Sequence, residues 1–215
     1  MVELLQTYSP DLILGFRNTL YSSVIALVFS LIIGTLLGIL QVSNNRFLKI
    51  IATAYVEFFR NIPLLVIVMF FYVVIPLYLF QIDGLTAGII GLTIYTSSFI
   101  ADVIRSGIMS VPRGQFEAGY SQGLGFAGVM RYIVLPQALK IVIPPLGNQF
   151  INLVKNSSVL AMVAGLDLMY YGDLIASETF NTFDTYILVA LFYLLLTVPL
   201  TYLMSHVEKR FASKA

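Results

Sequence analysis

The sequence predicts an all-α integral membrane protein with five transmembrane helices, and three observations carry that expectation. Of 215 residues, 59% are hydrophobic and only 11% are charged, against roughly a quarter charged in soluble domains, and the mean hydropathy is +0.91. The apolar residues gather in runs long enough to cross a hydrocarbon core of about 30 Å, which takes about 20 helical residues. Lys and Arg cluster at alternate ends of those runs. Five spans leave no room for a sizeable soluble domain, so residues 1–215 read as a single transmembrane domain. The chain has no cysteine and one histidine, His206, which excludes disulfides, thiolate metal sites and a histidine cluster.

In chain order the spans are placed at about 12–41, 62–80, 85–104, 139–166 and 186–204. Span one carries Gly34 and Gly38, a G-x-x-x-G step that lets a neighbouring helix approach closely, and Gly88 with Gly91 lightens one side of span three. Arg46 and Lys49 follow span one; Arg105, Arg113, Arg131 and Lys140 flank the segment between spans three and four; Lys209, Arg210 and Lys214 close the tail. The positive-inside rule makes these three regions cytoplasmic. Glu3 and Asp11, Asp83, and the group Asp167, Asp173, Glu178 and Asp184 take the opposite ends. The N-terminus is therefore expected outside and the C-terminus in the cytoplasm. A start that carries Glu3 and Asp11 in place of a basic region argues for a retained first helix, not a cleaved signal.

Glu57 with Arg60, and Asp102 with Arg105, are each three residues apart near span ends, a spacing that favours ion pairing on one helix face at the interface. Between spans three and four lies a polar island, 111–136. Gly114 to Ala118 opens a short helix, Gly123, Leu124 and Gly125 make a turn, Ala127 to Val134 can form a second helix, and Pro136 is expected to reset the chain before span four. Glu117 is placed to cap or pair at the first helix start, while Ala118 and Gly119 would let a partner approach the backbone.

The spacing E-A-x-x-x-x-G, running from Glu117 and Ala118 to Gly123, followed by Ile133, Val134, Leu135 and Pro136, resembles the signature loop of ABC importer transmembrane subunits. The likeness covers nearly the whole chain and is closest to the polar amino-acid permeases, the histidine and glutamine permease family. Arg60, Asn61, Ile62, Pro63, Leu64 and Leu65 resemble that family's R-x-x-P-L-L step before span two. Tyr95 to Asp102, Arg105 to Ile108, Val111 to Gln115, Pro144 to Asn148 and Lys155 to Ser158 continue the match. Two positions depart: Gly119 stands for a usual second alanine, and Asn156 stands where many relatives carry aspartate.

The resemblance implies a type I ABC importer permease fold with cytoplasmic coupling helices in a bacterial cell membrane. It implies coupling to an ATPase through Glu117, Ala118, Gly119, Gly123, Leu124, Gly125, Leu135 and Pro136. It also implies a second permease subunit, identical or related, two ATPase subunits that bind ATP and Mg, and an extracellular amino-acid-binding protein. No G-x-x-x-x-G-K-[ST] loop occurs in this chain, so it is expected to be no enzyme itself.

Span four carries the substrate reading. Asn148, Gln149, Asn152, Lys155 and Asn156 fall at offsets of one helical stripe in an otherwise apolar run. An unpaired ammonium there costs roughly 3 kcal/mol on insertion scales, so the stripe is expected to face a wet path. Bonding between neighbouring helices is the structural alternative. Donors and a positive charge without a carboxylate suit a substrate carboxylate, pointing to glutamate, glutamine or aspartate over basic amino acids or histidine. The substrate ammonium is left to backbone carbonyls exposed by a break at Pro144 and Pro145. Two other classes are weighed: an ion-coupled secondary transporter, which normally shows inverted repeats absent here, and a membrane enzyme, which needs a clustered nucleophile, metal set or acid pair. Tyr170 and Tyr171 are expected along the outer interface, a possible receptor contact.

Overall fold

The computed structural model describes residues 1–212; Lys214, assigned above to the basic tail, lies outside them. Among the described residues the chain is helical with no strand. Helix α1 is Val2–Gln41, ten residues longer at its start than the apolar run suggests. At about 1.5 Å per residue it reaches about 60 Å, so its ends stand clear of the hydrocarbon core. After a short turn, α2, Arg46–Arg60, begins under an Asn45 cap whose side chain accepts from the backbone N–H of Phe47 and Leu48 at 3.0 and 3.3 Å.

The chain then bends by 103° into α3, Leu64–Tyr78. The apolar run read as span two is therefore this short helix, joined at the bend to the amphipathic α2. Pro63 at the bend removes a backbone donor and disfavours helix at Ile62, which ends α2. Helix α4, Gly84–Met109, is capped by Asp83, whose carboxylate accepts from Thr86 N–H and hydroxyl at 3.0 and 2.7 Å. Among the described residues four helices are long and apolar enough to span, and α2 with α3 gives a fifth where the bent pair is counted as one span.

The polar island folds as α5, Arg113–Ser121, a turn, and then α6, Phe126–Val163. Here the structure departs from expectation: the second loop helix and span four are one rod, and Pro136 does not interrupt it. The reason is visible just before the proline, where Met130–Val134 forms a π turn. Phe70–Val74 does the same just before Pro76 in α3. Widening one turn relieves the clash between a proline ring and the preceding turn, so the helix continues. Pro144 and Pro145 likewise sit inside α6, without the break expected there. The rod ends as a tighter 3-10 stretch, Ser157–Val163.

Helix α7, Leu168–Thr179, was not anticipated; its 12 residues are too few to span. Helix α8, Thr182–Ala212, closes the fold. Tyr171 is buried, against Gly15 of α1, where an added Cβ would lie 2.9 Å from its ring. Its ring thus packs inside the bundle.

Helix α4 is the most buried of the spans. It packs on α1 along Gly34 and Gly38, where an added Cβ would sit 2.7 Å from Ser97 O and from Ala101 O respectively. The close approach inferred from the G-x-x-x-G step is thus made against α4. Two of its hydroxyls bond back within the helix, Ser97 to Ile94 O at 2.8 Å and Ser98 to Tyr95 O at 2.6 Å, and Ser97 also shares a 2.9 Å hydrogen bond with the Tyr55 hydroxyl of α2. Three apolar clusters follow: Ile100, Ile104 and Ile108 with Val129, Val134 and Val142; Val68 and Leu92 with Leu153 and Leu160; and Leu12 with Leu168, Ile175 and Val189.

Candidate functional site

The signature loop is a closed hairpin. Gly123 has φ +81°, a left-handed conformation that glycine adopts without strain, and the turn is tied by Gly123 N–H to Tyr120 O at 2.9 Å and Leu124 N–H to Gly119 O at 3.2 Å. Gly125 precedes α6 and its carbonyl accepts from Val129 N–H at 3.0 Å. Gly119 is buried toward its own hairpin: an added Cβ would meet Val129 Cγ2 and Ile133 Cδ1 at 2.8 Å. It lets α5 close on α6, whereas Ala118 is exposed beside it. Glu117 sits in the fifth position of α5 and makes no cap; its side chain is exposed, with no ion pair or hydrogen bond among the described residues. Leu124 and Leu135 are half-buried against the cluster that also holds Val129 and Val134, and Pro136 is exposed. Gln137 donates to Gln115 Oε1 at 3.2 Å, pinning α5 to α6.

The span-four stripe is placed as one face of α6. Asn148, Asn152 and Lys155 are exposed, Gln149 and Asn156 half-buried, while Leu146 and Leu153 point into the core. None of the five polar side chains forms a hydrogen bond or ion pair among the described residues. Lys155 stands in the last α-helical turn, where the helix dipole favours a cation. It lines a cavity of about 500 Å³ between α6 and α8 together with Ser158, Tyr186, Tyr193 and Thr197. Asn148, Gln149, Asn152 and Asn156 do not line that cavity. Sequence reasoning missed the tyrosines, although Tyr186, Tyr193 and Thr197 fall at helical spacing on one face of an apolar span.

Two carboxylates lie behind these tyrosines. Tyr186 donates to Asp173 Oδ1 at 2.8 Å, and Tyr193 to Asp167 Oδ2 at 3.3 Å. Asp167 is fully buried and caps α7, accepting from Met169 and Tyr170 N–H at 3.1 and 3.3 Å. Burial pushes its carboxyl up to about 6, against those N–H bonds, which favour the carboxylate. The stripe itself has no acid, but the wall facing Lys155 has acids one residue deeper.

The charge pairs near the span ends combine differently from their sequence spacing. Asp102 is shared: Arg60 approaches Oδ2 at 3.1 Å and Arg105 donates to Oδ1 at 2.8 Å. The Arg60 guanidinium also lies over Phe99, 5.4 Å from the ring centroid. Arg60 thus ties the end of α2 to α4, and the expected Glu57–Arg60 pair is not formed among the described residues. No group of three or more metal-ligating side chains occurs among the described residues.

A bundle of apolar spans with a helical hairpin carried at one end of a continuous rod marks an integral membrane protein. The chain belongs to the family of binding-protein-dependent transport system inner membrane components, whose description matches residues 11–213. It is 55% identical over 196 residues, 91% of each chain, to the probable glutamine ABC transporter permease protein GlnM of Bacillus subtilis. It is 33% identical over 203 residues to the glutamine transport system permease protein GlnP of Escherichia coli K12, covering 94% of this chain and 93% of that one. Among solved structures, an amino acid ABC transporter with histidines superimposes with a TM-score of 0.87 at 34% identity, covering 96% of both chains. The MetNI methionine ABC transporter shares the fold, with a TM-score of 0.81 at 21% identity over 93% of this chain and 95% of that one. The chain is an ABC permease subunit of the type I importer fold and not an enzyme; the ATPase is a separate chain. That membership sets aside the ion-coupled and membrane-enzyme readings.

Proposed function

We propose that this permease moves polar amino acids inward, glutamine foremost and glutamate or aspartate with it, driven by ATP that a partner ATPase binds with Mg. The observation that carries the substrate reading is Lys155, unpaired and exposed at the head of a face of amides, Asn148, Gln149, Asn152 and Asn156. A substrate carboxylate fits an ammonium, and a substrate amide fits carboxamides that both donate and accept. The glutamine permeases among the relatives support the same substrate class.

Two permeases, identical or related, face each other across the path, with two ATPase subunits below and a binding protein delivering the amino acid outside. The N-terminus lies outside and the basic loop and tail inside. Glu117, Ala118, Leu124 and the exposed Pro136 meet the ATPase, with Gly119, Gly123, Gly125 and Leu135 holding their shape. Because the hairpin runs directly into α6, displacement at Phe126 reaches Lys155, about 44 Å away at about 1.5 Å per residue, through one rod.

A second reading has its own observation. Asp167 and Asp173 stand behind Tyr193 and Tyr186 at the Lys155 cavity, and acids there would suit histidine or a basic amino acid. Lys155→Ala separates the two. Loss of glutamine uptake with intact assembly supports the first; uptake of arginine or histidine that survives or improves supports the second.

A further inference from the structure

At the elbow between α1 and α2, far along the chain from the Lys155 stripe, lies a polar cavity of about 480 Å³. Its floor is Gln41, 4% exposed, whose Oε1 has no hydrogen-bond partner. A buried carboxamide oxygen favours a donor beside it, and this one borders the cavity. On one wall Lys49, Thr53 and Glu57 recur every four residues along α2. Lys49 makes no ion pair among the described residues.

On the other wall Arg105 spends one terminal nitrogen on Asp102 and the other on Met109 Sδ at 3.4 Å. A thioether is a weak acceptor, and a phosphate oxygen would displace it. Lys49 and Thr53 also line a second cavity with Arg46 and Ile50, so the polar pocket continues along a helix that exposes Phe47, Ile50 and Ile51. A helix turned by 103° from the one that follows it, with basic and apolar residues both exposed, suits the plane of a lipid headgroup layer.

We propose that this elbow binds an anionic phospholipid whose headgroup carries free hydroxyls, as phosphatidylglycerol does. The phosphate sits between Lys49 and Arg105, a headgroup hydroxyl donates to Gln41 Oε1, and the remaining hydroxyl donates to Glu57 and accepts from the Thr53 hydroxyl. The acyl chains leave along Val42 and the apolar face of α2. A headgroup without hydroxyls would leave Gln41 as it is now, and a zwitterionic choline headgroup would bring a cation against Lys49 and Arg105.

The test uses the assembled complex of this chain with its permease and ATPase partners, incubated in detergent with matched phosphatidylglycerol, phosphatidic acid or phosphatidylcholine. Bound lipid is counted by native mass spectrometry. The expected result is phosphatidylglycerol retained at least about tenfold over phosphatidylcholine, and reduced about fivefold by Lys49→Ala, the worth of one basic group at such a surface. Gln41→Leu removes the preference for phosphatidylglycerol over phosphatidic acid. Equal retention of phosphatidylglycerol and phosphatidylcholine by the unaltered complex overturns the proposal, whether or not the Gln41 variant assembles. So does a Lys49→Ala complex that binds unchanged, or displacement of the lipid by an equal concentration of free glycerol phosphate, which would make the ligand soluble.

Discussion

Gly119 gives the sharpest perturbation of the coupling hairpin, because its surroundings separate two substitutions that differ only in size. An alanine Cβ would lie 2.8 Å from Ile133 Cδ1 and from Val129 Cγ2, where carbon contacts settle at about 3.5–4.0 Å. Something must yield by about 1 Å. Ile133 is half-buried and offers only the end of its side chain, at a rotamer cost of about 0.5–1.5 kcal/mol; Val129 is fully buried and stiff. Alanine regains about 1 kcal/mol of helix propensity over glycine, so Gly119→Ala comes out near neutral. Gly119→Leu adds three more carbons against Val129, costs about 1–3 kcal/mol in overpacking, and opens α5 from α6. In proteoliposomes containing the full transporter, Gly119→Ala should keep uptake within about twofold by that near-cancellation. Gly119→Leu should retain ATPase activity while losing most uptake. Normal transport by Gly119→Leu would refute the internal-closure account, and loss of coupling in Gly119→Ala would return Gly119 to a direct contact with the ATPase.

Other perturbations follow from the same geometry. Glu117→Lys, reversing an exposed charge that has no partner within this chain, should uncouple ATP hydrolysis from uptake without lowering the yield of membrane-inserted permease, as measured by immunoblot and vesicle uptake. Lys155→Ala should abolish glutamine uptake with assembly intact by size-exclusion chromatography. Asp167 should make stability depend on pH: its folded value of about 6 lies above its ordinary 3.8, so the native state holds the proton more tightly and stability falls as pH rises from about 4 to about 6. The loss amounts to about 3 kcal/mol above that window. Asp167→Asn keeps a cap acceptor for Met169 and Tyr170, and should melt higher than the unaltered complex at pH 8 and alike near pH 4. Gly38→Ile, forced against Ala101 O, should lower melting at every pH.

The spans, the hairpin turn at Gly123 and the close packing at Gly34 and Gly38 were legible because each has a local signature: apolar length, a polar Gly-rich island, and small residues four apart. Pro136 misled because a proline reads as a stop, whereas the π turn before it absorbs the clash at no cost visible in composition. Pro144 and Pro145 misled for a related reason, since their fixed φ is itself helical. The Arg60–Asp102 tie could not be read from spacing: it joins residues 42 positions apart in sequence, and Glu57 offered a nearer partner at the favoured helical offset. Gly119 was read toward a partner because smallness alone does not say which side is crowded. The stripe from Asn148 to Asn156 was legible as a face of α6, but the tyrosines opposite Lys155 required the packing of α8 on α6. The packing of Tyr171 onto Gly15 was not legible, because it requires α7 folded back against α1.

The central claim is that an ATP-driven complex uses this chain to carry an amide or acidic amino acid past Lys155. The most direct measurement is uptake of labelled glutamine into proteoliposomes holding the chain with its permease, ATPase and binding-protein partners, with and without ATP, challenged by unlabelled glutamate, aspartate, histidine and arginine. The account predicts uptake only with ATP, displaced by glutamate and aspartate, insensitive to arginine, and lost in Lys155→Ala. Glutamine uptake that proceeds without ATP, or that persists in full in Lys155→Ala, would contradict it.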